Sequence, residues 1–203
     1  METEQKDYFA EKADGYDNQK ARTQNVDNIG QAVLKALPFS KDMHVMDFGS
    51  GTGLLLSQIA PFVGEITAVD ISVSMNSVLQ SKMDAIDCKL HIVEADLTQK
   101  KLDQKFDCIV SSMTMHHIEN VEEIFKTLYS LLDENGTIAI ADIDTEDGSF
   151  HTEDTGFFHL GFDRNEFLNI AENAGFRNLK IETASIMVKP TGTYPVFLLT
   201  GKK

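Results

Sequence analysis

Alternating strand-like and helix-like segments between residues 43 and 175 predict an α/β chain, a mostly parallel sheet wrapped by helices on both faces. Two further observations complete that expectation. A glycine turn, D-x-G-x-G-x-G over Asp47, Gly49, Gly51 and Gly53, joins the first apolar run to a helical segment. At the carboxyl-terminal side two β-rich runs, 180–188 and 194–200, flank the turn-forming sequence KPTGT, which predicts an antiparallel hairpin and seven strands in all.

The elements follow in order. Residues 1–22 are polar with a few aromatics, among them Tyr8, Phe9 and Tyr16. Residues 23–37 carry Val26, Ile29, Val33 and Leu37 at helical spacing, and Pro38 stops them, so residues 1–40 read as an amino-terminal helical cover. Strand one is expected at 43–47. The helix launched by the glycine turn is expected at 54–60, with its first N–H groups pointing back into the turn. Residues 65–70, EITAVD, form a second strand closing on Asp70, and 73–83 is helical with Val73, Val78, Leu79 and Met83 inward. Strands at 90–93 and 106–112 come next. Asn120 with Glu123 forms a capping box before a helix, Asn135-Gly136 turns into a strand at 137–141, and Asp163 with Glu166 repeats the capping device before a helix that Gly175 ends. No repeat, composition break or low-complexity linker interrupts the chain, so 1–203 is expected to be one domain.

Composition narrows the function classes. The chain has 203 residues, 42% of them hydrophobic and 25% charged, as in soluble globular proteins. A net charge of −14 argues against a nucleic-acid partner, because phosphate-backbone affinity depends on cationic side chains. The charged start METEQKDYFAEK has no apolar core, and no run approaches the roughly 20 apolar residues of a bilayer span, so a cytoplasmic chain without a membrane span is expected. Cys88 and Cys108 lie far apart, and Cys108 falls in a strand-like run as a buried reduced thiol. Oligomeric state is left open.

The glycine spacing separates two ligand classes. A dinucleotide fingerprint, G-x-G-x-x-G, needs glycine at 54, where this chain has Leu54. A strand-end acid such as Asp70 can accept from both ribose hydroxyls, or merely cap the helix that follows it; its place in the second strand after a glycine turn favours ribose.

The pattern from Asp47 to Gly53 resembles the first motif of the class I S-adenosylmethionine-dependent methyltransferases, and the element order resembles that family over nearly the whole chain. The resemblance is to the small-molecule type, with the ubiquinone and menaquinone enzymes as one subtype. It implies a Rossmann-like doubly wound sheet and S-adenosyl-L-methionine as cofactor. Asp47, Gly49, Ser50, Gly51 and Gly53 would hold the methionine portion, and Asp70 and Ile71 the ribose. Met75 would touch the adenine edge, and Asp96, with Ala95 and Leu97 beside it, would accept from the adenine amine. Phe9, Ala13, Tyr16 and Asp17 match a family segment that folds over the cofactor cleft, with Tyr16 near the cofactor; the alternative is a frayed terminus. The segment after the fourth strand passes under the reacting methyl in that family and here carries Ser111, Ser112, His116 and His117. Adjacent histidines cannot both face one site in regular structure, so His117 is expected in the cleft and His116 in packing or capping. It stays open whether either does chemistry.

Residues 142–163 correspond to the family's variable substrate-side segment. Phe150, Phe157, Phe158 and Phe162 would line an apolar pocket there or pack on the sheet as a lid, and His151 and His159 would supply polar contacts or a proton acceptor. If the acceptor is a hydroxyl or a protonated amine, His117, His151 and His159 are the candidate bases; a carbanion-like carbon or a thiolate needs none. No metal is expected. The sequence D-x-D-x-E-D-G from Asp142 has Asp147 where a calcium loop needs glycine, and the four histidines 116, 117, 151 and 159 show no H-x-x-x-H pair. Two thiols do not suffice for arsenite-type methylation, and SSMT stands where base-flipping enzymes carry an N-P-P-Y-like turn. The implied function is methyl transfer to a small-molecule acceptor by in-line displacement. A non-catalytic cofactor-binding or partner protein of the same fold is the alternative, and a nicotinamide-dependent oxidoreductase a weaker one.

Overall fold

The computed structural model describes residues 7–203; residues 1–6, part of the charged start read above, lie outside the described residues. Seven strands form one sheet: β1 (His44–Phe48), β2 (Glu65–Asp70), β3 (Lys89–Glu94), β4 (Phe106–Ser112), β5 (Leu132–Ile143), β6 (Arg177–Lys189) and β7 (Gly192–Lys202). Among the described residues five α-helices accompany them: α1 (Lys20–Ala36), α2 (Leu54–Ile59), α3 (Val73–Ser81), α4 (Val121–Leu131) and α5 (Arg164–Asn173). The spatial order is β3-β2-β1-β4-β5-β7-β6. Strands β1 to β5 pair in parallel, whereas β7 runs antiparallel to both of its neighbours. The chain leaves β1 toward one edge through β2 and β3, then returns to the other side of β1 as β4. That reversal opens a crevice beyond the carboxyl ends of β1 and β4, where ligands of open α/β sheets bind.

The period-2 alternation of strand side chains builds two apolar layers. Val45, Cys108, Val110 and Ala139 face a layer closed by Val26, Ile29 and Val33 of α1, Leu55, Leu56 and Ile59 of α2, and Leu79 of α3. Their strand neighbours Met46, Ile109, Ile138 and Leu199 face the opposite layer, closed by Ile124, Phe125 and Leu128 of α4 and Phe167 of α5. Cys108 is fully buried and unpaired, and burial pushes its thiol up to about 12. The caps read from sequence form: Asn120 Oδ1 accepts from Glu123 N, and Asp163 Oδ1 from Asn165 N and Glu166 N.

Three features differ from expectation. The helix read at 73–83 ends at Ser81 and leaves Val73 exposed instead of inward, while Ala95 and Leu97 cover that part of the sheet from the loop between β3 and β4. Asn135, with φ +68, turns within a longer β5 instead of before it, at a register shift between the pairs Phe106–Leu132 and Cys108–Thr137. The hairpin strands also reach further than 180–188 and 194–200, because their ladder runs from Arg177–Lys202 to Lys189–Gly192. Among the described residues no helix is long and apolar enough to cross a membrane.

Candidate functional site

The glycine turn is clasped to the end of β2. Gly49 N and Ser50 N donate to Val69 O at 2.8 and 3.2 Å. Gly51 N donates to Asp70 Oδ2 and Ser72 N to Asp70 Oδ1, each at 2.8 Å. Gly51 has φ +54, and a Cβ built on it would meet nothing within 4 Å, so its backbone is the floor of an open cradle. Gly53 serves packing instead: its Cβ would lie 2.4 Å from Leu79 Cδ1, and it lines neither cavity described below. Asp47 is buried with Oδ2 unpartnered, and burial together with the Asp70 charge pushes its carboxyl up to about 7 against a Leu56 backbone hydrogen bond. Ser50 Oγ is likewise buried without a partner.

Two cavities open on this turn. The first, about 690 Å³, is lined by Asp70, Ile71, Met75, Ala95, Asp96 and Leu97 among others, which brings together all the residues expected around ribose and adenine. Asp96 Oδ1 accepts from Thr98 N and Thr98 Oγ1, at 2.8 and 2.6 Å, so Oδ2 is the oxygen left for a ligand. The second, about 560 Å³, is lined by Asp47, Ser50, His116, His151 and Phe150. Phe9, Tyr16, Gly49, Gly51, Ser112, Met113 and His117 belong to both walls.

The amino-terminal segment covers the crevice because acids stitch it down. Asp7 accepts from Ser74 N and Ser74 Oγ at the start of α3, and Asp17 accepts from Thr52 Oγ1 at 2.6 Å and pairs with Lys82. Ala13 is buried between them in sequence. Asp17 of the family-like segment therefore anchors the cover, while Tyr16 reaches the cavities.

Beyond β4 the chain turns sharply. Met113 takes φ +58, an uncommon conformation for a side-chain-bearing residue, and its N–H donates to Ala141 O at 2.9 Å. A single 3-10 turn, Met115–His117, follows. That irregular geometry places both histidines on the wall of the second cavity, their ring centroids 4.2 Å apart, and corrects the expectation that only one would face it. His116 is fixed by Asp142 at the end of β5: Nδ1 lies 2.7 Å from Oδ1, and the His116 backbone N–H donates to Oδ2. Burial alone would raise the Asp142 carboxyl, but the His116 imidazole beside it and three hydrogen bonds outweigh it and hold Asp142 low. The His151 ring lies 5.1 Å from His116 and stacks on Phe157 at 4.5 Å, and its Nε2 is buried without a partner. Burial, with the repulsion that protonated rings this close would exert on one another, brings His117 down to about 4 and His151 down to about 3.

Some expected residues are not brought in. His159 Nε2 lies 2.9 Å from Ile118 O and its ring packs on Phe162, outside both cavities. Ser111 is fully buried within β4, where its hydroxyl donates to Phe48 O at 2.7 Å; Ser112, the next residue and on the opposite strand face, reaches both walls. The four phenylalanines divide. Phe150 lines the second cavity and Phe158 the first, Phe157 backs His151, and Phe162 joins the core against Phe167. Among the described residues no group of three or more His, Cys, Asp or Glu is arranged to hold a metal ion. Sequence reasoning missed the His116–Asp142 pair, and also Arg22, Asn25 and Lys189 on the second cavity wall. Only the Arg22–Asn25 spacing, one helical turn, carried a signal.

A family model described as a methyltransferase domain matches residues 19–181. An uncharacterized methyltransferase of Schizosaccharomyces pombe is 29% identical over 156 residues, covering 68% of this chain and 55% of that protein. The chain spans about half the length of the first curated relatives it matches. Among solved structures, a methyltransferase in complex with the Trm112 methyltransferase activator of Haloferax volcanii has a TM-score of 0.78 at 15% identity, covering 98% of this chain and 99% of that one. Phosphoethanolamine N-methyltransferase 2 of Haemonchus contortus, in complex with S-adenosyl-L-methionine, has a TM-score of 0.72 at 15% identity over 94% of this chain and 59% of that one. With a matching family model over most of its length and the glycine cradle and strand-end acids in place, the chain belongs to the methyltransferase-domain family.

Proposed function

We propose that the chain is an S-adenosylmethionine-dependent methyltransferase of a small-molecule acceptor, with 1–203 acting as one methyltransferase domain. The observation that carries this is the pair of cavities sharing one wall at Gly49, Gly51, Ser112, Met113 and His117, a donor compartment beside an acceptor compartment. The donor side fits the cofactor by its chemistry. Asp70 can accept from ribose hydroxyls, Asp96 Oδ2 from the adenine amine, and Ile71 and Met75 give apolar surface to the ring. Gly51 leaves room at the turn, and the unpartnered Ser50 Oγ and Asp47 Oδ2, which line the second cavity, can take the methionine end where the cofactor crosses the shared wall. Bound there, the cofactor supplies an electrophilic sulfonium methyl. The chain's own task is alignment, which can contribute about 7–11 kcal/mol to such a reaction.

On the acceptor side His116 is the proposed base. With Nδ1–H donating to Asp142, Nε2 is the atom that accepts a proton from a hydroxyl or ammonium group, and the carboxylate offsets the charge that develops. His117 and His151, uncharged near neutral pH, surround it without adding positive charge. The net charge of −14 favours a small molecule over nucleic acid.

The test is calorimetry with S-adenosylhomocysteine, followed by assay of its formation from S-adenosylmethionine across a metabolite panel. Wild type is expected to bind, and Asp70→Ala to bind at least ~10-fold more weakly, about 1.4 kcal/mol. Equal affinities would remove Asp70 from the ribose site, and binding without turnover of any acceptor would favour a non-catalytic binder.

A further inference from the structure

The second cavity has two ends. Asp47 and Ser50, with Arg22 and Asn25 on the same wall, are left to the methionine end of the cofactor. The other end is a run of rings. Phe9 of the amino-terminal cover, His117 and His116 after β4, and His151 and Phe150 after β5 all line it. Each ring meets the next. The centroids of Phe9 and His117 lie 5.7 Å apart, His117 and His116 4.2 Å, His116 and His151 5.1 Å, and His151 and Phe150 4.8 Å. A further planar ring can join such a run in edge-to-face or offset contact, at centroid separations of about 4.5–7 Å.

Charge narrows the guest further. Among the described residues Asp47 is the one carboxylate on the cavity wall, and it stands at the other end. Lys12 pairs with Glu153 at 2.6 Å. Lys189 Nζ lies 3.3 Å from the Phe150 ring centroid and donates to Phe150 O at 2.7 Å, and among the described residues no carboxylate lies within ion-pair distance of it. Glu146 acts on it from off the wall, with Oε2 engaged by Gly148 N and Phe150 N. An ammonium-bearing acceptor would leave water to face Lys189 with no acid on that part of the wall, which is costly. A hydroxyl meets no such penalty, and His116, with Nδ1 2.7 Å from Asp142 Oδ1, is placed to receive its proton. The acidity of that hydroxyl matters. The ordinary values of imidazole and phenol, about 6.5 and about 10, differ far less than imidazole does from a water-like hydroxyl at about 15.7.

We propose that the methyl acceptor is an aromatic ring bearing a phenol-type hydroxyl, with the ring seated against His151 and Phe150 and the hydroxyl at His116. The proposal rests on the methyltransferase reading for the reaction, while the preference for a flat ring with a hydroxyl is measurable by binding alone. In the transfer the hydroxyl proton goes to His116 Nε2, the freed oxygen pair forms the new O–CH3 bond, and the pair of the broken S–CH3 bond stays on sulfur. Phe150 and His151 select the shape of the acceptor. Phe157, stacked on His151 at 4.5 Å from outside the cavity, holds that ring in place.

Phenol, cyclohexanol and benzylamine are the probes, titrated by calorimetry near neutral pH into protein saturated with S-adenosylhomocysteine and into protein without it. Cyclohexanol keeps the hydroxyl without the flat ring, and benzylamine keeps the ring with an ammonium group. Phenol is expected to bind saturably and at least fivefold more tightly than either. Phe150→Leu and His151→Leu should each bring the preference for phenol over cyclohexanol below twofold, while S-adenosylhomocysteine affinity changes less than twofold. Phe150→Tyr should keep the preference and guards against a folding defect in the leucine variant. No saturable binding of phenol, equal affinity for phenol and cyclohexanol, tighter binding of benzylamine, or an undiminished preference in either leucine variant overturns the proposal. Displacement of S-adenosylhomocysteine by phenol also overturns it, because the rings would then serve the cofactor. A phenol preference in protein that does not bind S-adenosylhomocysteine would sink the methyltransferase reading and leave the ring pocket standing.

Discussion

Three titratable side chains around the crevice, Asp47 buried and two histidines half-buried, make stability depend on pH in opposite directions. His117 and His151 take protons near 6.5 when unfolded, but near 4 and 3 when folded. Between those values the unfolded chain binds more protons, so their contribution is complete above about pH 6.5 and is lost as pH falls toward their folded values. Asp47 has the opposite sign. Its folded pKa is raised to about 7 from 3.8, so its contribution is present at low pH and lost as pH rises through about 7. The expected outcome is stability that rises from about pH 4.5 to about 6.5, where two histidines outweigh one carboxyl, and is level above about pH 7, measured as the urea midpoint across about pH 4.5–8.5. His151→Gln should flatten the acid limb and Asp47→Asn should steepen it. An acid limb of unchanged slope in His151→Gln would contradict the placement of that ring.

At the level of elements, cap and core contributions separate cleanly. Asp163 satisfies two N–H groups at the start of α5, so Asp163→Ala should cost about 1 kcal/mol. Phe125 on α4 is fully buried and packs edge-on to Phe167 and Phe176, at 5.2 and 6.1 Å, so Phe125→Ala should cost about 3–5 kcal/mol. Equilibrium denaturation with unchanged cooperativity would check both; a Phe125→Ala cost as small as that of the cap would mean α4 is not set into the core as described. Both caps were legible because side chain and recipient N–H lie within three residues of each other. The α4 face was legible from its apolar spacing. The histidine pair was not, because Asp142 lies on a different strand from His116 and their meeting depends on the left-handed turn at Met113, which no local spacing encodes. His159 was misplaced for the same reason: its loop turns it toward Ile118 O, and hydrophobic periodicity says nothing about loop direction.

Across the molecule, the layered α/β architecture was readable because alternate strand residues such as Val45 and Met46 had to find apolar cover on opposite faces. The second cavity was not, because its walls gather the amino-terminal segment, α1, the glycine turn with α2, the segment after β4, the loop after β5 and the β6–β7 turn from separate parts of the chain. A ligand spanning such a site should tie those parts together. S-adenosylhomocysteine at about 100 times its Kd is expected to stabilise the folded state by about 2.7 kcal/mol, with NADH giving no shift. Thermal denaturation with each compound checks this, and stabilisation by NADH alone would point to the oxidoreductase alternative.

The place of β7 between β5 and β6 has a temporal consequence. Among the described residues strand β6 pairs only with β7, so its residues leave the ribosome with no ladder to join. At synthesis rates of about 5–20 residues per second, that segment waits on the order of a second for the stretch that will bridge it to β5. Lys189 sits at the hinge of the late pair, and so the compartment facing His116 is finished only when the last strand slides into the middle of its sheet.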